Sequence, residues 1–100
     1  MDQFIETSLS LYDLAELYEE DKLKPFNLVK DLIVKHLGEI RSVKVHMTYF
    51  NPEKLTAVIE YLVETRYGEV SVKIICSNNP QETLKEYYLY ELKKNRVGHS

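Results

Sequence analysis

The spacing of hydrophobic residues predicts two helices near the N-terminus. In "SLYDLAELYEED" and "LKPFNLVKDLIVKHLG" the apolar positions recur three or four residues apart, as on one face of a helix. Ser10 is a suitable N-cap for the first segment, Pro25 suits the first turn of the second, and Gly38 is a suitable terminator. Residues 1–9 are ambiguous, because they either extend the first helix towards Asp2 or stay loosely ordered.

Three segments with two-residue alternation follow, namely "RSVKVHMTYF", "LTAVIEYLVETRYG" and "EVSVKIICS". Strict alternation with many β-branched and aromatic residues favours strands over a helix, even for residues 55–67. A two-residue loop at Tyr67 and Gly68 predicts the pairs Val63–Val72, Tyr61–Ile74 and Ile59–Cys76. A five-residue loop over residues 51–55 predicts the pairs Val43–Val63, Val45–Tyr61 and Met47–Ile59. These segments are expected to form an antiparallel meander.

A third helix is predicted to follow "NNP", with Asn79 as its N-cap and Pro80 in its first turn. Leu84, Tyr88 and Leu92 step by four residues and predict its buried stripe. Tyr87 then falls on the flank of that stripe and Tyr90 on the exposed side. Residues 96–100 are expected to fray as a tail.

The predicted fold is therefore a single α+β domain with the order ααβββα and with the helices packed on one face of the sheet. By strand parity, the second face of the sheet carries Phe50, Val58, Leu62 and Ile75 among the polar residues Lys44, His46, Glu60 and Lys73. A face this apolar needs a cover. Either the N-terminal helix or another subunit is expected to supply it.

Charge is distributed unevenly along the chain. Residues 1–21 contain seven acidic residues and no Lys or Arg, hence −7, whereas the remaining residues carry 13 basic and nine acidic groups, hence +4. This asymmetry indicates either an acidic helix beside a basic body or an external partner. The single cysteine, Cys76, fits a reducing compartment. The N-terminus lacks the pattern of a signal peptide, so a cytoplasmic protein without membrane contact is expected.

Residue types that carry chemistry are few in this sequence. His36, His46, His99 and Cys76 lack the spacing of metal ligands, and no phosphate-binding or nucleophile motif is present, so we expect no catalytic residue, cofactor or metal. His36 is expected at the edge of the core, and Cys76 inside it. His46 is expected beside Glu60 across the first hairpin, either as a polar cross-strand pair or as an oriented general base.

The order helix, three strands, helix over residues 25–95 resembles the double-stranded RNA-binding domain. That family carries a lysine cluster at the start of its last helix, where this chain reads "NNPQETLKE". The resemblance therefore does not carry the family's function. Nucleic-acid binding stays the alternative hypothesis, with Lys85, Lys93, Lys94 and Arg96 as its candidate residues.

The leading hypothesis is a small non-catalytic protein-interaction or regulatory domain, with self-association into a homodimer as one form of it. Its size, acidity and lack of motifs resemble those of small phage and archaeal-virus proteins, some of which act by binding a host protein. The candidate interface residues are apolar or aromatic and lie on the second sheet face or on the last helix: Phe50, Val58, Leu62, Ile75, Tyr87 and Tyr90.

Overall fold

The computed structural model describes residues 2–98, and the side chains of residues 2–95. Three helices and four strands follow one another in the order β1 (Asp2–Glu6), α1 (Leu11–Glu20), α2 (Lys24–Leu37), β2 (Ile40–Asn51), β3 (Thr56–Thr65), β4 (Gly68–Cys76) and α3 (Pro80–Gly98). The predicted α+β class is confirmed. Within the described residues, no helix is both long enough and apolar enough to cross a membrane. α3 continues to Gly98, into the predicted tail, and the last two residues of that tail lie outside the described residues.

The sheet has four strands and is mixed, with the strand order β1-β4-β3-β2. β1 runs parallel to β4 and pairs Asp2 with Ser71 and Glu6 with Ile75. The prediction of a three-stranded antiparallel meander is therefore incomplete, and residues 2–6 follow neither alternative given for residues 1–9, because they form a strand. The outer edge of β4 supplies hydrogen-bond partners to β1, and this long-range pairing overrides the weak helical pattern of residues 2–9.

Helices cover both faces of the sheet. α1 and α2 pack on the first face, where their buried residues Leu11, Leu14, Phe26, Ile33 and Leu37 meet the buried strand residues Ala57, Ile59, Tyr61, Val63, Val70, Val72 and Ile74. α3 packs on the second face, where Tyr87 is buried against Val58 and Ile75. The prediction that all helices lie on one face is wrong, and the cover of the second face is the C-terminal helix.

The hairpin between β3 and β4 is two residues out of its predicted register. Its loop is Arg66 and Tyr67, since Thr65 pairs with Gly68, and Gly68, directly after the loop, has a positive φ of 99°, a conformation that favours glycine. As a result, Tyr61 pairs with Val72 and Ile59 pairs with Ile74. A shift by an even number of residues leaves each side chain on its predicted face.

The hairpin between β2 and β3 contains a bulge at His46. The predicted pairs Val43–Val63 and Val45–Tyr61 are confirmed, but the register then shifts, and Met47 pairs with Glu60. One extra residue in a strand moves the side chain of every following residue to the opposite face of the sheet. Phe50 therefore lies on the first face, where its ring is 6.3 Å from that of Tyr18, and its predicted place on the second face is wrong.

α1 begins and α2 ends where their capping residues predict. Ser10 Oγ accepts a hydrogen bond of 3.1 Å from the Asp13 amide, and Gly38 ends α2 with a φ of 79°. The buried stripe of α2 is narrower than predicted, because Leu28 and Leu32 are 60% and 44% exposed. His36 is exposed as well, so its predicted place at the core edge is wrong. Cys76 is buried, as predicted.

Tyr61 connects the sheet to the turn between α1 and α2. Its ring packs against Phe26, with the ring centroids 5.4 Å apart, and its hydroxyl donates a 2.6 Å hydrogen bond to the carbonyl of Lys22. Burial raises the pKa of Tyr61, so the hydroxyl stays protonated as a donor.

Replacing Tyr61 by Phe should lower the free energy of unfolding by about 1 kcal/mol, because the Lys22 carbonyl loses its donor while the ring packing is kept. Urea unfolding at neutral pH measures the change. Tyr12→Phe is the matched control, since Tyr12 is 64% exposed and should tolerate the same change. Equal stability of Tyr61→Phe and the parent chain would contradict the role given to this hydrogen bond.

Candidate functional site

A buried polar group lies on the second face of the sheet, under α3. It comprises Glu60, Ser71, Lys73 and Tyr87, and we call it the Glu60 cluster. Glu60 and Lys73 pair across β3 and β4, Ser71 lies two residues before Lys73, and Tyr87 reaches the cluster from α3. Glu60 is 6% exposed, Lys73 is 3% exposed and Tyr87 is fully buried. Charged residues are rarely this buried unless they are paired.

Both oxygens of the Glu60 carboxylate accept hydrogen bonds. Ser71 Oγ donates to Oε2 at 2.7 Å, and Lys73 Nζ lies 3.5 Å from the same oxygen. Lys73 Nζ also donates to Ser71 Oγ at 2.9 Å, and the Tyr87 hydroxyl donates to Glu60 Oε1. The buried charge is therefore neutralised by Lys73 and solvated by two hydroxyl groups.

These contacts shift the protonation equilibria of two members of the cluster. Burial by itself would raise the pKa of the Glu60 carboxyl, but the hydrogen bonds from Ser71 and Tyr87 and the charge of Lys73 outweigh it, and the pKa is lowered. Burial, together with the hydrogen bond to Glu60, raises the pKa of Tyr87. Glu60 is therefore an anion and Tyr87 a neutral donor at neutral pH.

Two aromatic rings shield the Lys73 ammonium on the side of β1. Lys73 Nζ lies 5.2 Å from the ring centre of Phe4 and 5.7 Å from that of Tyr88. Both distances are within the range of cation–π attraction. Phe4 and Tyr88 are 48% and 41% exposed, so they form the solvent-facing wall of the cluster.

His46 and Glu91 form the opposite wall. His46 is exposed, Glu91 is half-buried, and one donor atom from each of His46, Glu60 and Glu91 lies within 4.8 Å of the others. The predicted proximity of His46 and Glu60 is confirmed, although the bulge at His46 is not predicted by the sequence. Among the described cavities, the largest, of about 350 Å³, lies between Thr7, Leu55 and Asn78, and none of them is lined by Glu60.

The buried side of α3 differs from the predicted stripe. Thr83 and Tyr87 face the sheet. Of the three residues of the predicted stripe, Leu84 packs against the second face, whereas Tyr88 and Leu92 are 41% and 58% exposed. Since successive residues of a helix are about 100° apart, the helix is turned by one residue from its predicted orientation. The predictions that Tyr88 is core and Tyr87 is boundary are wrong.

The predicted interface residues do not form one surface. Val58, Ile75 and Tyr87 are buried together, Phe50 lies on the opposite face, and Leu62 is half-buried. Tyr90, predicted to be exposed, is half-buried, with its ring 5.2 Å from that of Tyr49. The second face predicted as an interface is thus largely occupied by α3.

The candidate nucleic-acid-binding residues do not lie on one side of α3. Lys85 and Lys93 are exposed and, by helical spacing, lie on the outer side with Leu89. Lys94 lies on the Tyr90 side, with its ammonium 5.5 Å from the ring centre of Tyr90. The side chain of Arg96 lies outside the described residues.

The lowered pKa of Glu60 predicts a loss of stability in acid. A carboxyl with a lower pKa in the folded chain than its ordinary value of about 4.3 stabilises the fold above that value, and this contribution is lost as the pH falls through the folded-state pKa. The stability difference between the parent chain and Glu60→Gln should therefore shrink as the pH is lowered from 7 to 3. Urea unfolding across this range measures it. Glu64→Gln is the control, because Glu64 is on the same strand and exposed. A constant difference would contradict the stabilising role of the Glu60 anion.

Removing the positive charge of Lys73 alone should lower the free energy of unfolding more than removing the charges of both Lys73 and Glu60. Lys73→Met should lower the free energy of unfolding by about 3–5 kcal/mol, because it leaves a buried carboxylate without its counterion. In the double variant Glu60→Gln/Lys73→Met the loss should be smaller than in Lys73→Met alone. Lys44→Met, at an exposed position on β2, should change stability by less than about 0.5 kcal/mol. Losses that simply add in the double variant would show that the two groups do not interact.

Comparison of the chain with protein-family models, with curated proteins and with solved structures finds no match. The functional assignment therefore depends on two features of the fold itself. One is the Glu60 cluster with its His46–Glu91 wall, and the other is the apolar outer side of α3.

Proposed function

We propose that this chain is a non-catalytic protein-interaction domain and that its docking surface is the outer side of α3. This surface, called the α3 outer face below, comprises Lys85, Tyr88, Leu89, Leu92 and Lys93. The observation that carries the proposal is the exposure of three large apolar side chains within two consecutive turns, which is 41% for Tyr88, 59% for Leu89 and 58% for Leu92.

A single exposed leucine is ordinary, but three neighbours on one helix form a contiguous stripe. Taking a large apolar side chain from full exposure to full burial gains about 1.5–3 kcal/mol, and roughly half of that surface is still exposed on each of these three residues, so a partner that covers the stripe gains affinity. Helix-in-groove and helix-on-helix recognition use anchors with this spacing. The buried Tyr87 and Thr83 hold the opposite side of α3 on the sheet, so the surface is presented by an anchored element.

The charge around the stripe specifies the partner's chemistry. Lys85 and Lys93 lie one turn before and one turn after Leu89, and both are exposed. A matching partner has an apolar or aromatic centre and acidic flanks. α1 of this chain has that composition, because Tyr12 is 64% exposed and is accompanied by the exposed acids Asp13, Glu16 and Glu19. We therefore propose that the partner is α1 of a second copy of the chain.

The positions of α1 and α3 require this contact to be intermolecular. α1 packs on the first face of the sheet and α3 on the second, so the sheet lies between them. A contact between α1 of one copy and α3 of another joins two different surfaces and is head-to-tail. Such contacts extend into stacks unless they close into a ring, so association is not restricted to a dimer.

Charge reversal with a mixing experiment tests the pairing. Lys85→Glu/Lys93→Glu makes both surfaces acidic, and Glu16→Lys/Glu19→Lys makes both basic, so each variant alone should stay near the monomer mass of 11.8 kDa. An equimolar mixture of the two should associate again, because each acidic surface then meets a basic one. Light scattering at several protein concentrations and two salt concentrations measures the mass. Added salt should weaken the association.

Lys30→Glu/Lys35→Glu is the control for total charge, since both lysines are exposed on α2, away from the α3 outer face, and it should associate like the parent chain. A parent chain that stays at the monomer mass at every concentration would overturn the proposal. So would a mixture that fails to associate. Binding of a DNA or RNA probe that is lost in Lys85→Glu/Lys93→Glu would favour the nucleic-acid alternative instead.

A further inference from the structure

We propose that His46, Glu60 and Glu91 bind a zinc ion, which fastens α3 to the bulged part of the sheet. The proposal is independent of self-association, because all three ligands come from one chain. They belong to three separate elements, β2, β3 and α3, and their donor atoms already lie within 4.8 Å of one another.

The distances require a short local adjustment and no change of the backbone. Zinc bonds to imidazole nitrogen and carboxylate oxygen are about 2.0–2.2 Å long, so the donors of a tetrahedral site are about 3.5 Å apart. The Glu60 carboxylate is held by its buried partners. His46 is exposed and Glu91 is half-buried, so rotation of these two side chains can close the remaining gap.

Charge favours a cation at this position. Glu60 and Glu91 contribute two negative charges, and Lys73, 3.5 Å from Glu60, contributes one positive charge. The net charge of these three groups is therefore −1, and His46 offers an imidazole nitrogen at the solvent-facing side of the same group.

The Glu60 cluster provides the outer shell that such a site needs. A carboxylate has about four lone-pair directions. Ser71 and Lys73 occupy the Oε2 side, and Tyr87 donates to Oε1, which leaves one direction on Oε1 for a metal. Hydrogen bonds of this kind orient a ligating carboxylate and are typical of metal sites in proteins.

The donor set selects zinc over the common alkaline-earth ions. One imidazole nitrogen with two carboxylates suits Zn²⁺, with a water molecule in the fourth position. Mg²⁺ and Ca²⁺ prefer six or more oxygen ligands, and the site offers a nitrogen in place of one of them. Because the ligands come from β2, β3 and α3, the bound ion links these three elements.

Isothermal titration calorimetry with ZnCl₂ and the full chain at pH 7.5 tests the proposal, with the visible absorption of bound Co²⁺ as a second readout. One saturable site per chain is expected, with the affinity reduced more than tenfold in both His46→Ala and Glu91→Gln. His36→Ala is the matched control, since His36 is also exposed, and it should bind like the parent chain. His46→Ala leaves the other two histidines of the chain in place.

A shift of the thermal unfolding midpoint gives an independent check, because an ion that binds the folded chain stabilises it. Zn²⁺ should raise the midpoint of the parent chain and of His36→Ala, and should raise that of His46→Ala much less. The absence of a saturable Zn²⁺ site would overturn the proposal. Equal zinc affinity in His46→Ala and the parent chain would overturn it as well, and so would an equal response to Mg²⁺.

Discussion

The buried carboxylate of Glu60 sets a polar requirement that the cover of the second sheet face has to meet. A carboxylate that is 6% exposed costs several kcal/mol unless it is paired and hydrogen-bonded. Lys73 and Ser71 meet part of this requirement from the adjacent strand, and the remaining oxygen depends on the Tyr87 hydroxyl. If α3 turned by one residue to bury Tyr88, the Tyr88 hydroxyl could replace that of Tyr87, but the Thr83 hydroxyl would lose its 2.6 Å hydrogen bond with that of Ser77, and Lys73 would lose the ring of Tyr88.

The orientation of α3 links the interior of the protein to its surface. With Tyr87 inward, Tyr88 shields Lys73 from the side, while Leu89 and Leu92 point to solvent. Glu91 is one turn after Tyr87 and therefore also lies over the sheet, near the bulge at His46. The exposed apolar stripe and the group of His46, Glu60 and Glu91 thus both follow from the orientation of α3 about its axis.

Local features of the fold are predictable from the sequence, and those that depend on distant partners are not. Ser10 and Gly38 mark helix ends by local capping chemistry, and alternation identifies β2, β3 and β4. β1 was missed because residues 2–6 are too few for a clear pattern and pair with a strand more than 60 residues away. Hydrophobic spacing places Tyr88 inward because it takes no account of the polar contacts that Thr83, Tyr87 and Tyr88 make in the observed orientation. Of the candidate site, the proximity of His46 and Glu60 was predictable from hairpin pairing, whereas the contribution of α3 was not.

The most direct test of this account is the set of nuclear Overhauser contacts made by the ring protons of Tyr87 and Tyr88. With Tyr87 hydrogen-bonded to Glu60, the Tyr87 ring should show strong contacts to the methyl groups of Val58 and Ile75, and the Tyr88 ring should contact the Lys73 side chain. Strong contacts from Tyr88, rather than Tyr87, to the Val58 and Ile75 methyl groups would mean that the apolar stripe faces the sheet. That result would contradict the account.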